Sequence, residues 1–469
     1  MNANPRTSRR QFLKTTAAAA TAATFNIVPR HVLGGPRYVP PSEKVNVAII
    51  GAGGQGRTNV RNLFPLDNCQ VIAVADPAES FSLENFYYKG MGGRLPVKAE
   101  IEKHYSAKTP NFRCADYVDF REMLEKEKAI DAVLIATPDH LHAYASVAAM
   151  RAGKHVYCEK PLTHNIWEAR QVAKVAEETG VATQLGSQGH SSNGTRETIE
   201  YIQDGAIGAV HEIHVWVGAK RWNPSLTGRP PETPPVPAGL NWDLWLGPRQ
   251  ARPFHPAYFP VAWRDFWDFG GSGIGDFACH DMNTAVRTFD LPLPSRIAAH
   301  PVGVTDREIA PHGALIHYTF PAAGLRPEIR MTWYDGGMMP PVPAALGDFQ
   351  LPKRGCLFIG ATGVIQCNGS GGAPKIFPDK RRLEYVPPEP RLKRSNGHHR
   401  DWIDACKGGA PATSPFAYAA HLTEIALLGV LSLRTQSPIT WDAAAMKATG
   451  LPAADPFIKE DCRPGWEIA

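Results

Sequence analysis

Apolar residues along this chain come in short bursts. The runs at 45–50, 71–75, 132–136 and 155–158 are dense in Val, Ile and Ala, long enough for buried strands and too short for buried helices. Between them the apolar positions return at helical spacing, over 54–64, before Thr109-Pro110, from Asp116 or Val118 to Lys126, over 138–152 and over 165–179. Strands alternating with helices of about 10–15 residues predict a doubly wound parallel sheet. The stretch 81–96 is looser and Gly-rich. After about residue 185 the pattern changes. A helix over 195–203 leads to a long alternating strand over 210–217 and then to an irregular Pro-rich region. β-like runs follow at 297–304, 315–320, 328–333, 356–358 and 364–367, before helical spacing returns at 399–407 and 418–433. Strands without intervening helices predict a second α/β domain, built on an open, largely antiparallel sheet that faces the cleft. The expected division is 36–185 for the first domain and 186–469 for the second.

With 469 residues, 43% hydrophobic and 20% charged, the chain has ordinary globular composition, which excludes a disordered chain, a coiled coil and a collagen. Lys and Arg number 50 against 45 Asp and Glu, a net +5 without a long basic run, so no nucleic-acid partner is expected. The eight Cys include no C-x-x-C pair, and no metal site is expected. Cys356 and Cys367 flank a stretch that reads as a hairpin and would set them opposite each other. Two buried thiols or a disulfide both fit that placement.

The N-terminus carries Ser8-Arg9-Arg10-Gln11-Phe12-Leu13-Lys14 and then an Ala/Thr-rich stretch to about residue 23. A basic start, a mildly apolar middle and small residues read as a secretory signal, and the Arg pair resembles a twin-arginine signal. Residues 1–35 are therefore expected to be signal and linker. Export to the periplasm or beyond, through the twin-arginine machinery, is the corresponding expectation. The apolar stretch is too short for a membrane span. No later run of 18 apolar residues stands out, so an integral membrane protein is not expected.

The first strand runs into Gly51-Ala52-Gly53-Gly54-Gln55-Gly56, a G-x-G-x-x-G. The first Gly permits a tight turn, the second lets backbone approach a pyrophosphate, and the third lets the helix pack close to the strand. Asp76 stands at the end of the next strand, 20 residues beyond Gly56, the spacing of a carboxylate that receives ribose hydroxyls. That carboxylate would repel a 2′-phosphate, so this Rossmann-type half is expected to take NAD, with Gly54 and Gln55 also at the cofactor.

Two more motifs end strands: Ala136-Thr137-Pro138-Asp139-His140-Leu141-His142 and Cys158-Glu159-Lys160-Pro161-Leu162. Together with Gly275-Asp276-Phe277-Ala278-Cys279-His280, they make residues 44–435 resemble the Gfo/Idh/MocA family, the glucose–fructose oxidoreductases and inositol dehydrogenases. The resemblance implies NAD, a sugar or polyol substrate, and Lys160 beside the nicotinamide, where it positions or deprotonates a substrate hydroxyl. Asp276 and His280, at i and i+4, would share a helix face and could meet. A His near neutral pKa accepts a hydroxyl proton, and a carboxylate orients it or the substrate.

Thr137, Pro138, His142 and Glu159 are expected at the cofactor, with His142 equally readable as a helix-capping residue. His190, Trp263 and Arg264 are candidates for substrate contact. His398 and His399 read as a solvated helix start. Six Trp between 216 and 267, interleaved with Phe, Tyr and charged residues, suit a sugar's C–H faces and hydroxyls. They equally suit a loop packed on its own aromatics or a subunit contact.

The expected chemistry is hydride transfer between a tightly bound NAD and a secondary hydroxyl of a sugar or polyol, in a homo-oligomer. An NAD-dependent glycosidase working by transient oxidation is the alternative, and a sugar-binding protein with an inert nucleotide site is the third.

Overall fold

In the computed structural model, residues 39–40 and 43–468 are described. The Arg9-Arg10 segment and the expected signal lie outside them. The first layer comprises β1 (Val45–Ile50), β2 (Cys69–Ala75), a separate hairpin of β3 (Phe81–Ser82) and β4 (Met91–Gly92), then β5 (Ala115–Tyr117), β6 (Ala132–Ile135), β7 (His155–Glu159) and β8 (Thr183–Gly186). Six of these form a parallel sheet in the order β5-β2-β1-β6-β7-β8. Val47, Ala48, Ile49, Val133 and Leu134 are buried because helices cover both faces, which is why the central strands are apolar runs without alternation. The helices are α1 (Gly54–Leu63), α2 (Arg94–Ser106), α3 (Phe120–Lys126), α4 (Asp139–Arg151) and α5 (Ile166–Thr179). Asn165 and Glu168 form a capping box at the start of α5, and Gly180 at φ 63° ends it. The strand order reverses between β1 and β6, so ligands are expected beyond the carboxyl ends of these strands.

The edge strands differ from the sequence pattern. The helix expected from residue 116 or 118 begins at Phe120, because the Asp119 side chain caps it at the Arg121 N–H, and residues 115–117 pair as β5. Strand β8 carries Thr183 and Gln184, which hide it among polar sequence. Gln184 donates to the His398 carbonyl at 2.7 Å, and the Leu185 N–H reaches Ser414 O at 2.9 Å.

The chain continues through α6 (Asn193–Gln203), β9 (Val210–Trp216), α7 (Trp242–Leu246), α8 (Ser272–Asp281) and α9 (Asn283–Phe289). It then runs through β10 (Arg296–Val302), β11 (Gly313–Phe320), β12 (Ile329–Tyr334), β13 (Gly355–Gly360), β14 (Val364–Asn368) and β15 (Lys375–Phe377). α10 (Asp379–Glu384), α11 (His398–Cys406), α12 (Phe416–Thr435), β16 (Ile439–Asp442), β17 (Lys447–Ala448) and α13 (Asp455–Ile458) complete it. The second sheet has nine strands in the order β15-β14-β13-β9-β12-β11-β10-β16-β17. Only the β9–β12 pairing is parallel. One face alternates Ile213, Val215, Ile316, Tyr318, Met331, Trp333 and Phe358 into the core.

Helix α12 is the beam between the layers, packing on α5 of the first and on α8 and β10 of the second. Against the expectation that no later apolar run stands out, α12 is long and apolar enough to cross a membrane by length and composition, but most of it is buried inside the protein. Its Glu424 pairs with Arg170 at 2.6 Å. Residues 45–468 accordingly form one compact unit.

Two further expectations change. The open sheet does not face the cleft; α8 stands between, presenting Asp276, Phe277 and His280. His398 and His399 are not solvated. Both are buried, His398 Nε2 donating to Leu185 O (3.0 Å) and His399 meeting Asn59 Oδ1 (3.1 Å), so they tie α11 to the parallel layer. Cys356 and Cys367 are direct cross-strand partners, both buried and both free thiols.

Candidate active site

A cavity of about 350 Å³ opens at the strand reversal. Its floor is the glycine loop. Gly51 adopts φ +91°, and a Cβ there would lie 2.6 Å from the Ala136 carbonyl carbon, so the β1–α1 turn tolerates only glycine. Gly56 does not line the cavity. A Cβ on it would strike the Gly51 carbonyl, so its part is close packing of α1 on the turn. Gly53 has open space, with nothing nearer to its ideal Cβ than Phe81 at 3.9 Å. No side chain caps α1, which leaves its first N–H groups and dipole for a pyrophosphate.

Asp76 follows β2 at the cavity wall, receiving the Ala52 N–H at 2.7 Å and the Ala78 N–H at 2.8 Å. Burial raises its carboxyl to about 6, against the pull of those two N–H groups and Arg94. Its remaining acceptor capacity fits the two hydroxyls of an adenosine ribose. Glycine cradle, uncapped helix and ribose carboxylate thus fit NAD.

The second cluster joins both layers. Lys160 leaves the end of β7, and its ammonium donates to the Asp276 carboxylate at 2.5 Å and to the Asp276 carbonyl at 2.8 Å. Arg264, lying over the Trp263 ring at 4.0 Å, pairs with the same carboxylate oxygen at 3.2 Å. Burial disfavours the charge of Asp276, yet Arg264 and Lys160 together hold it well below the usual carboxylate range. His280 shares the α8 face with Asp276, but the two form no direct pair. Its Nδ1 lies 3.3 Å from the Ser187 hydroxyl, which leaves Nε2 for a substrate. Burial, then Lys160 and Arg354, keep this imidazole far below its ordinary pKa, so at neutral pH it is an uncharged base.

The expected cofactor residues Gly54, Gln55, Thr137, Pro138, His142 and Glu159 all line the cavity, with differing parts. Glu159 receives Asn59 Nδ2 at 2.9 Å and Gln55 Nε2 at 3.3 Å, fastening α1 to β7. His142 sits with Nδ1 2.6 Å from Pro161 O and Nε2 2.9 Å from Thr137 O, bracing the two loops that carry the strand-end motifs. Burial lowers it to about 4, even though both carbonyls favour a proton.

Trp263 and Arg264 reach the cavity; His190 does not. It lies in the short 3-10 turn Gln188–Ser191, whose Gln188 and Gly189 face this cavity while His190 turns into a different one of about 610 Å³. Most of the Trp-rich segment packs on itself. Trp242, Trp245, Phe254, Tyr258, Trp263, Phe266 and Phe269 form one buried cluster, as the self-packed loop reading required.

Several participants had no sequence signal. Asp139 is buried at the start of α4 with neither carboxylate oxygen hydrogen-bonded, and burial lifts it to about 7 despite the nearby Arg264. Tyr88 lies against Gly54, its hydroxyl 3.5 Å from Gln55 Oε1. Ser187, which donates to the Cys279 carbonyl at 3.0 Å and meets His280, and Arg354, which pairs with Asp281 and lies over Phe277, reach the site only through the fold, which sequence spacing does not reveal.

Residues 45–187 match the model of the Gfo/Idh/MocA oxidoreductase family's NAD-binding Rossmann fold, and residues 199–290 match that family's C-terminal alpha/beta domain. The chain belongs to the Gfo/Idh/MocA family. Its cofactor is accordingly NAD. Among curated members, the 1,5-anhydro-D-fructose reductase of Ensifer adhaerens is 36% identical over 169 residues, 35% of this chain and 39% of that protein. A glycosyl hydrolase family 109 protein of Shewanella pealeana is 25% identical over 228 residues, 46% of this chain and 47% of that protein. The chain thus spans about half the length, or less, of the curated family members it matches. Of solved structures, the WlbA dehydrogenase from Bordetella pertussis in complex with NADH and UDP-GlcNAcA shares the fold. Its TM-score is 0.58 at 14% identity, covering 85% of this chain and 98% of that one.

Proposed function

We propose that this family member moves a hydride between NAD that stays bound through the cycle and the carbon of a secondary hydroxyl of a sugar or polyol, oxidising the alcohol to a ketone or reducing the ketone back to the alcohol. NAD supplies the hydride acceptor or donor. Everything else falls to side chains of this chain. The Lys160 ammonium, anchored on Asp276, donates to the substrate oxygen and fixes the carbon that reacts. The neutral His280 Nε2 takes the hydroxyl proton during oxidation and returns it during reduction, while Ser187 holds its ring. Arg264 keeps Asp276 ionised, so that the Lys160 ammonium stays aimed.

The observation that carries this reading is the meeting of Lys160 and Asp276, from different layers, inside the cavity floored by the dinucleotide loop. The test is mass spectrometry of the nucleotide released from protein purified without added cofactor, followed by single-turnover absorbance of reduced nicotinamide with a sugar panel. Bound NAD reduced by at least one sugar is the expected result. NAD that no sugar reduces would overturn the oxidoreductase reading.

The family 109 relative favours one other outcome, an NAD-dependent glycosidase. Aryl glycosides offered without added cofactor separate the two, because only the glycosidase releases phenol catalytically. Export of the folded, cofactor-loaded protein and assembly into a homo-oligomer belong to the same proposal. The Arg9-Arg10 motif supports export, and fractionation of an Arg9→Lys/Arg10→Lys variant tests it.

A further inference from the structure

A recess of about 540 Å³ adjoins the site and shares Tyr87, Arg264, Asp276 and Phe277 with the dinucleotide cavity. It therefore begins at the residues that hold Lys160 and continues to Trp222, Ser272 and Ala310. Its volume lies within the ~300–1,000 Å³ of sites that enclose drug-sized ligands. A lone monosaccharide at Lys160 would leave most of it to solvent.

Two independent features point to what fills it. The first is a pair of aromatic rings left in water. Trp222 is 37% exposed and Tyr87 68%, although Trp216, Trp242, Trp245, Trp263 and Trp267 are buried. The two rings lie nearly parallel, at 15° with centroids 6.1 Å apart, and Phe86 meets Trp222 edge-on at 5.8 Å. Phe86 and Tyr87 come from the β3–β4 connection and Trp222 from the second layer, so the rim spans the cleft. Its backbone is fixed. The Trp222 and Asn223 N–H groups both donate to the Asp265 carboxylate at 2.8 Å, and the Arg221 guanidinium donates to carbonyls of Asn223, Leu226, Val304 and Ala310.

The second feature is Ser272. It lines the recess at 7% exposure, its hydroxyl has no hydrogen-bond partner, and its φ is +58°, a left-handed conformation costly for a non-glycine residue. It opens α8, whose N-terminus no side chain caps. Flat apolar rings at the mouth and an unsatisfied hydroxyl beside free helix N–H groups are the complement of one pyranose, with its C–H face and ring hydroxyls.

We propose that this recess is a second sugar subsite, and that the substrate is a glycoside of at least two rings. The reacting ring sits at Lys160 and His280. The next ring lies on Trp222 and Tyr87 and bonds to Ser272. This inference rests on the proposed sugar oxidoreduction, and it names the substrate class for that same site.

The test pairs each monosaccharide with its disaccharides on the NAD-loaded full chain: D-glucose with maltose and cellobiose, D-galactose with lactose, D-mannose with mannobiose. The expected result is a ratio of second-order rate constants, read from single-turnover reduction of the bound NAD, that favours at least one disaccharide. That ratio should fall about tenfold or more in Trp222→Ala and less in Tyr87→Ala, the scale of losing an aromatic anchor. Because Trp222 is partly in solvent, its removal leaves the fold intact, which circular dichroism verifies. A ratio at or below one in the unaltered protein, or one unmoved by both substitutions, overturns the subsite. If no sugar reduces bound NAD, the oxidoreductase reading fails, and calorimetric titration with the same disaccharides decides the subsite separately. Binding that weakens in Trp222→Ala supports it, and no binding of any disaccharide overturns it.

Discussion

The two halves of the cleft are built by opposite means. The cofactor half is local: β1, the glycine turn, α1 and the end of β2 lie within about thirty residues, and each part follows from backbone sterics or a helix terminus. The substrate half is assembled from distant pieces. Lys160 from β7, Arg264 from the aromatic loop, Asp276 and His280 from α8 and Ser187 from the end of β8 meet only after two layers dock. Local geometry makes the first half robust to what happens elsewhere. Buried charge makes the second half depend on every partner being present, since removing one leaves another unpaired in low dielectric.

That contrast predicts a separation of effects. The widest should come from Lys160→Met, which removes the ammonium at the substrate oxygen but touches no part of the glycine loop. Single-turnover reduction should fall about 10²–10⁴-fold, with cofactor occupancy by mass spectrometry unchanged. Loss of NAD in that variant would show the halves to be one site.

Asp276→Ala should cost about 3–5 kcal/mol of stability, because Lys160 and Arg264 lose their shared counter-charge. Urea unfolding with and without NAD measures it. The same substitution should leave NAD affinity nearly untouched, and a parallel loss of affinity would break the comparison.

Asp76 offers a test by pH on the cofactor side. With its carboxyl raised to about 6, it is ionised at pH 7 and takes up a proton as pH falls. Ribose hydroxyls favour the ionised acceptor, so NAD affinity is nearly full at pH 7, about half of that at pH 6, and about tenfold lower by pH 5. Asp76→Asn should bind NAD more weakly and without that dependence; calorimetry at the two pH values decides.

The smallest effect concerns His280. Its depressed pKa keeps it a neutral base, so the acid limb of sugar oxidation should lie below the 6.5 of an ordinary imidazole. Arg354 is one of the cations that depress it, so Arg354→Met should move the limb upward. Proton NMR of the His280 ring reads the same shift independently of turnover.

The cofactor half could be read from the chain because its requirements are short-range. Gly51, Gly53 and Gly56 stand where a Cβ would collide or would fill the cradle, and Asp76 ends the next strand. The motif at Glu159-Lys160-Pro161 was equally visible, although that Glu159 fastens α1 through Asn59 and Gln55 was not. Edge strands β5 and β8 escaped because polar residues interrupt any apolar run, Asp116 being met by Lys98, Tyr117 by Glu127 and Gln184 by α11. The aromatic segment was ambiguous for a physical reason: a ring suited to stack on sugar is equally suited to pack on another ring. Burial alone divided Trp242, Trp245 and Phe269, which became core, from Trp222, which did not.

Alternation of apolar runs, glycine spacing and charge at strand ends were enough to specify a parallel layer, its NAD loop and three candidate polar residues. These depend on neighbours a few residues apart, whose geometry backbone sterics dictate. Docking of the layers through α12 decided that α8 rather than a sheet faces the cleft. It also decided that Asp276 answers to Lys160 and Arg264 instead of His280, and that His190 turns into another cavity. Those outcomes depend on burial and on charges brought together across more than a hundred residues, quantities that come into existence only when the chain has folded.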